Sequence, residues 1–587
     1  MKIEMTELIP KGIPKGKEVV QQGRNIGKTI ELGKTAFLRE KRVHSDADYK
    51  QKCAEKGKIT WNAIMGLSSV DEEVEALKYL YKWGKKTGVV IDRCIIIANM
   101  RMGLPEEMWD KAPKGTSFML ESPDDYVKIA QAAPIQPCFE DFHIGSPASV
   151  RNTVNALRAG CGYMGTLSQY SWDYPYWQDD VAQVVEVVKA IGIVAEKRKD
   201  NIMVDSYMDD GIPSQFLDFA SIVGYAKLEK YVVDELCRAN YSTGYGGLTG
   251  NVPVKIATWL ALHDILKTDH NVVSFLYGNT IDVSTDFNSN YAIVVAEMVP
   301  FVVTEQIYKT GVSLLPIPAS EMVRVPTKEE IAEVHKVARL ALAKAKEYRE
   351  MLDFSSINKM QSLLVSKGNQ FFENIKKGLS ERGVDIMDPV QVLLAVRRLG
   401  AAKLEELFHP GERDSSLPRG VSPFIPTELL RKSMNMRDEI VKEVYSAQLA
   451  DAVRGRKIVT GSTDAHEFGL YVISSVLKDL GASVIDGGLN LDAEEILGLA
   501  FEAGTPYIVI STHNGLCLDY GKHLMEVANK RNQHVKVFMG GRLNGIVGGS
   551  TEPIDVSNQL IELGISPCKK VINLIKEIAA VEEIKPD

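Results

Sequence analysis

The sequence predicts an α/β protein: a TIM (β/α)8 barrel, then a helical region with a linker, then a carboxy-terminal Rossmann-like (flavodoxin-like) domain. Three observations carry this. Eight short apolar segments alternate with helix-like stretches over roughly 265 residues, the size and rhythm of a barrel. His409 to Pro426 holds four prolines with Gly and Ser pairs, a linker by composition. Beyond Lys457, apolar strands that end in small residues alternate with helices, which predicts a small parallel, doubly wound sheet.

Taken in order, residues 1–58 read as an amino-terminal arm, extended and with one helix near Thr29–Leu38, placed to contact another subunit. The barrel is expected over 59–326. Its strands begin at Ile59–Met65, Gly88–Ile91, Pro134–Phe139 and Cys161–Leu167. Four more follow at Asn201–Asp205, Asn240–Gly244, Val272–Leu276 and Val312–Leu315. The clearest helices between them are Asp71–Trp83, Ser149–Ala159, Asp180–Lys197 and Val254–Asp264. A doubly wound sheet of this length is the alternative, but no dinucleotide fingerprint appears. Residues 327–450 form the helical region and linker, with a solvated Ala/Lys/Glu helix at Ile331–Met351 and a further helix at Leu429–Ala452. The last domain spans 451–587.

Composition bounds the function. The chain has 587 residues, enough for two or three domains with sizeable cores. A net charge of −8 gives no electrostatic footprint for nucleic acid or an anionic membrane. Seven scattered cysteines with no Cys-x-x-Cys pair predict reduced thiols and a cytoplasmic location. No signal peptide is visible, and no run of about 18 apolar residues predicts a membrane span.

The chain is organised around Lys457–Gly469. The strand Ile458-Val459-Thr460 ends in Gly461-Ser462-Thr463, and then come Asp464-Ala465-His466-Glu467-Phe468-Gly469. His466 thus falls on a loop at the carboxyl end of a strand, where open α/β sheets place ligands. Asp464, two residues before it, can hold the other imidazole nitrogen, the arrangement that fixes a metal-ligating histidine's tautomer. Downstream, Ser511 closes the strand Tyr507–Ile510, and Gly540-Gly541 close Val535–Met539.

These residues resemble the cobalamin-binding domain of mutases and methyltransferases, with its Asp-x-His-x-x-Gly, Ser-x-Leu and Gly-Gly pattern. The resemblance implies His466 as the lower ligand of cobalt, replacing the cofactor's own base. Asp464, Ala465, Glu467, Phe468 and Gly469 would surround that ligand, and Ser511, Gly540 and Gly541 would admit the detached nucleotide tail. One departure stands out: the Leu of Ser-x-Leu is His513, which makes the tail pocket more polar.

At the mouth of the barrel, the loops after the strands decide the chemistry. The candidates are Arg93, Arg101, Asp141, His143, Ser168, Tyr170, the run Ser171–Tyr176, Asp205 to Asp210, Tyr245–Gly250, Tyr277–Asn279 and Glu321. Several runs resemble the large subunit of glutamate mutase, an adenosylcobalamin-dependent enzyme. They are Gly246-Gly247-Leu248-Thr249-Gly250, Ser171-Trp172-Asp173-Tyr174-Pro175-Tyr176, Tyr277-Gly278-Asn279 and Pro326-Thr327-Lys328-Glu329. The fusion of barrel and cobalamin domain in one chain looks like 2-methyleneglutarate mutase. By this resemblance Tyr176, Trp172, Arg101 and His143 contact substrate, while Gly247, Thr249 and Glu321 join His513 among the cofactor contacts.

The departures concern the substrate. Where the family carries carboxylate-binding arginines, this chain has Ala63–Gly66 and His143, with Arg101 or Arg93 near the second position. The family's ammonium-binding acid lines up with Thr166, and another active-site Glu with Thr243, so a substrate without an ammonium, or with only one carboxylate, is expected rather than glutamate. Arg93, Arg101 and Arg151 could together form a different clamp. The expected function is a radical carbon-skeleton isomerase acting on a small carboxylic acid, 2-methyleneglutarate first, as a homo-oligomer (dimer or tetramer) with neither nucleic acid nor membrane as partner. A corrinoid methyltransferase is the second reading, and a cobalamin carrier or sensor the third.

Overall fold

The computed structural model describes residues 8–112, 117–174, 176–267, 272–415, 417–463, 467–489, 491–513, 515, 517–545 and 554–580. They divide into two compact units, residues 1–427 and 428–587.

The first unit is built on a closed, all-parallel eight-stranded barrel. Its strands are β1 (Thr60–Met65), β2 (Arg93–Ile96), β3 (Gln136–Phe139), β4 (Tyr163–Met164), β5 (Met203–Tyr207), β6 (Asn240–Tyr245), β7 (Val272–Tyr277) and β8 (Ser313–Leu315). β8 pairs back onto β1 through Thr60↔Ser313 and Trp61↔Leu314. Seven of the eight expected strands fall where the sequence placed them. The second does not: Gly88 caps the preceding helix in the left-handed conformation (φ 75°), and the strand begins at Arg93. A fully buried arginine at a strand start breaks the apolar run by which strands are read.

Residues 16–55 are a second correction. They form three helices, Gly16–Lys28, Ala36–Lys41 and Asp46–Glu55, where an extended arm with one helix was expected. The first packs closely on the helix Asp180–Glu196. A Cβ on Gly23 would lie 2.0 Å from the Lys189 carbonyl oxygen, so only glycine permits that approach. The third helix sends Asp46 and Lys50 into the barrel interior at the starts of the strands.

After β8 come the helices Lys328–Tyr348, Ser355–Glu381 and Pro389–Phe408. The proline-rich stretch that reads as a linker is fastened to the barrel unit. The Asp218 carboxylate receives hydrogen bonds from His409 Nε2 (2.9 Å), Phe424 N (2.7 Å) and Ile425 N (3.1 Å). One helix of this unit, Phe287–Tyr308, is long and apolar enough to cross a membrane by length and composition. It connects β7 to β8, with Met298, Phe301, Val302 and Val303 fully buried, and its Glu297 meets Lys255 at 2.9 Å.

The second unit is a five-stranded parallel sheet of β9 (Lys457–Ser462), β10 (Ser483–Asp486), β11 (Tyr507–Thr512), β12 (Lys536–Gly541) and β13 (Ile565–Cys568), in the order β10-β9-β11-β12-β13. This is the flavodoxin-like doubly wound order. One face packs Val472, Val476, Ile572 and Ile575 from the helices Glu467–Asp479 and Val571–Ala580. The other packs Ile496, Leu497 and Leu524 from Ala493–Ala503 and Cys517–Lys530. The helix Glu428–Ser446 belongs to this unit, with Val444 in the first of these cores, so the unit begins ahead of residue 451.

Candidate functional site

In the second unit the strand order reverses between β9 and β11, and ligands of such sheets bind at that switch point, beyond the strand ends. Thr463 and Thr512 leave those two ends side by side. The Thr463 N–H donates to the Ser511 carbonyl (3.1 Å), and the two threonine hydroxyls meet at 2.9 Å. The sequence Asp464-Ala465-His466 follows directly and lies outside the described residues, as does the Glu467 side chain.

Beside this point a cleft of about 220 Å³ opens against β11, β12 and β13. Its walls are apolar, from Phe468, Val472, Val509 and Phe538, and its narrow parts are made by Gly469, Ser511, Gly540 and Gly541. A Cβ on Gly469 would stand 2.7 Å from Ser511 Oγ, and one on Gly540 would stand 2.6 Å from the Cys568 carbonyl oxygen. Gly541 adopts φ +97°, and a Cβ there would meet the Thr512 carbonyl oxygen at 2.2 Å. The four small residues singled out in the sequence therefore converge on one slot. His513 is exposed just past β11. Met436 and Lys569 also line the cleft and carried no sequence signal.

The barrel mouth gathers a different set. Gln169 is its centre: its Nε2 donates to Asp141 Oδ1 (2.9 Å) and Asp210 Oδ2 (3.2 Å), while its Oε1 accepts from Phe142 N (2.9 Å). Burial pushes the Asp141 carboxyl up to about 6. Burial, reinforced by the Asp141 charge, pushes Asp210 up to about 7. Asp209 accepts from the Gly246 amide of the glycine loop, and burial raises it to about 6. Glu321, in the turns after β8, is raised by burial. The Tyr207 and Tyr277 rings lie 5.6 Å apart, with Phe275 against Tyr207 at the same distance.

The sequence candidates divide. Asp141, Asp210, Trp172 and Glu321 fall on the loops at the strand ends. Trp172 packs beside Phe142 and Tyr174. Tyr176 is 69% exposed. His143 is fully buried, its ring held by the Asp141 carbonyl oxygen (2.6 Å) and the Tyr126 hydroxyl (3.1 Å), and burial lowers its pKa to about 3. Gly247 and Thr249 are tied to their neighbours: Thr280, on the loop after β7, donates to the Gly247 carbonyl, and the Thr249 hydroxyl meets that of Tyr245 at 2.8 Å. Tyr170 is core, bonded to the Tyr225 hydroxyl.

The three arginines do not form a clamp. Arg93 is buried against Asp46 (2.7 Å), at the opposite end of the barrel. Arg101 donates to the Ala112 carbonyl, and Arg151 to the Met102 carbonyl and Glu106. Gln169 was missed because a glutamine in a short 3-10 turn carries no pattern. It matters only through the two acids on either side of it.

No protein-family model matches the chain. Over 113 residues it is 27% identical to the fused isobutyryl-CoA mutase of Geobacillus kaustophilus; the stretch is 19% of this chain and 10% of that protein. The chain therefore spans about a tenth of the length of that curated relative. Among solved structures, a novel cobalamin-binding protein from Desulfitobacterium hafniense is similar over 25% of this chain and 78% of its own, at 15% identity and a TM-score of 0.18.

Proposed function

We propose that the chain is a cobalamin-dependent isomerase in which the second unit holds the cofactor and the barrel mouth holds a small-molecule substrate. The observation that carries this is the cleft. Gly469, Ser511, Gly540 and Gly541, the small residues of the cobalamin pattern, come together on one apolar slot beside the switch point of a flavodoxin-like sheet. An apolar slot with space kept open by glycine suits a flat heteroaromatic tail. The similarity to a fused isobutyryl-CoA mutase supports the same class.

In this reading His466 would ligate the cobalt, and Asp464 would accept a hydrogen bond from the other ring N–H, fixing the tautomer. When bound, adenosylcobalamin supplies a carbon-centred radical able to remove a hydrogen atom from a substrate. The protein's part is to hold and seclude the substrate. Gln169 fixes the Asp141 and Asp210 carboxyls relative to each other, and the Tyr207, Phe275 and Tyr277 rings wall the mouth on one side. The rearrangement is of a carbon skeleton by the resemblance of the barrel runs. The guanidiniums of Arg93 and Arg151 are engaged elsewhere, so the clamp that a dicarboxylate such as 2-methyleneglutarate would need is not formed. Among the described residues, one α-helix, Glu428–Ser446, precedes β9 in the second unit, which favours the isomerase over the methyltransferase reading, whose helical cap would need more.

The test is to close the slot. Gly469→Val places a Cβ 2.7 Å from Ser511 Oγ, with two methyl groups beyond it. It is expected to weaken adenosylcobalamin binding by about tenfold or more, followed by the absorption spectrum of protein-bound cofactor, with the circular dichroism of the fold retained. Undiminished binding in a folded variant would count against the assignment of the cleft.

A further inference from the structure

We propose that the barrel mouth takes a substrate bearing an ammonium group, seated between the Asp141 and Asp210 carboxyls. The inference rests on the barrel mouth as the substrate site and names the class of molecule bound there. It starts from the two acids, which Gln169 brackets with 2.9 and 3.2 Å bonds, using both hydrogens of its amide nitrogen. Gln169 supplies no net charge, and the Gly211 amide, 2.7 Å from Asp210 Oδ1, supplies none either.

The basic groups of the neighbouring elements are committed elsewhere. Arg397 bonds the Asp173 carboxylate and the Trp172 carbonyl, Lys255 pairs with Glu297 at 2.9 Å, and Arg151 turns to Met102 and Glu106. Among the described residues, the other titratable groups around the pair are Asp209, Glu321, Tyr174, Tyr207, Tyr277 and the buried His143, whose pKa burial lowers. The cation that acts on Tyr174, Arg397, is paired with Asp173.

A second observation points independently to a ligand. Tyr174 is 3% exposed, and among the described residues its hydroxyl has no hydrogen-bond partner; the Asp210, Asp141 and Arg397 charges act on it. A buried hydroxyl without a partner is costly unless something polar meets it. A primary ammonium fits these needs. Its three N–H donors can serve Asp141 and Asp210 together and leave one for the Tyr174 oxygen, and Tyr207 and Tyr277 offer ring faces to a cation. A dicarboxylate would bring like charge to the same acids.

The test uses the full chain without added cobalamin, so that its outcome is separate from that of the cofactor assignment. Binding of 1,4-diaminobutane, glutarate and propane-1,2-diol is measured by calorimetry. The diamine is expected to bind and the other two not. Its affinity should rise by about tenfold between about pH 5.5 and about pH 8, as Asp141 and Asp210 lose their protons while the amine keeps its own. Asp210→Asn, nearly isosteric, should weaken diamine binding about ten- to a hundredfold and flatten the pH dependence. Because the pH series uses the unmodified chain, it stands even if the variant misfolds. Diamine binding that is absent or flat with pH, or glutarate or the diol binding as tightly, would overturn the proposal.

Discussion

The two ends of the barrel treat buried charge in opposite ways. At the amino-terminal end the cations Arg93 and Lys50 are fully enclosed, and the chain supplies their partners. Arg93 Nε donates to Asp46 at 2.7 Å and its guanidinium lies 4.5 Å from the Tyr163 ring centre, while Lys50 donates to the Ser274 carbonyl. At the carboxy-terminal end Asp141 and Asp210 are buried acids bracketed by the Gln169 amide, while the buried cation there, Lys255, is paired with Glu297 at 2.9 Å. Burial raises the cost of charge at both ends. One end meets it with the Arg93–Asp46 ion pair and the backbone carbonyls on Lys50, and is closed by the helix Asp46–Glu55. At the other, burial raises the Asp141 and Asp210 carboxyls to about 6 and about 7.

The sharpest way to break that contrast is at the closed end. Arg93→Met leaves Asp46 buried without its cation and is expected to lower the unfolding free energy by about 3–5 kcal/mol, read from denaturant unfolding. A loss below about 1 kcal/mol would mean that the pair is not what closes this end.

The smaller effect belongs to the open end and has the opposite sign. The folded-state pKa of Asp210 is raised to about 7, so the folded protein holds this proton more tightly than the unfolded chain does. Its contribution to stability is fully present below the unfolded value near 3.8 and is lost as pH rises through about 7. Asp210→Asn removes that loss. It should stabilise the protein at about pH 8 relative to about pH 4 by on the order of 1–3 kcal/mol, measured by thermal or denaturant unfolding at the two pH values. Equal effects at both would show that Asp210 is not held protonated by its surroundings.

The same two ends show what the sequence made legible. Six strands could be read because each holds a short apolar run bounded by turns, whereas β6, Asn-Tyr-Ser-Thr-Gly-Tyr, is largely polar and only loosely marked. β2 could not, since it opens with Arg93. The error had a functional consequence. A strand ending at Ile91 puts Arg93 on the loop that follows, at the mouth; a strand beginning at Arg93 puts it at the other end. A displacement of a few residues thus turned a structural cation into a substrate candidate. His143 misled for a similar reason, because the Asp141 carbonyl and Tyr126 hydroxyl that occupy its ring come from contacts no spacing reveals. Asp141 and Asp210 were legible as acids after β3 and β5. Their joint position across Gln169 was not, as it depends on the path of the loop after β4. In the second unit Gly469, Ser511, Gly540 and Gly541 were legible because close backbone approach admits only small residues, and that demand is written in residue type.

The account turns on His466 as the ligand of cobalt in the second unit, and one measurement addresses it directly. Protein grown with 15N-labelled histidine is combined with unlabelled cobalamin, and the cobalt(II) state is examined by electron paramagnetic resonance. The account predicts a hyperfine pattern from a 15N nucleus, one that is absent in His466→Gly. Coupling to the 14N of the cofactor's own dimethylbenzimidazole would contradict it.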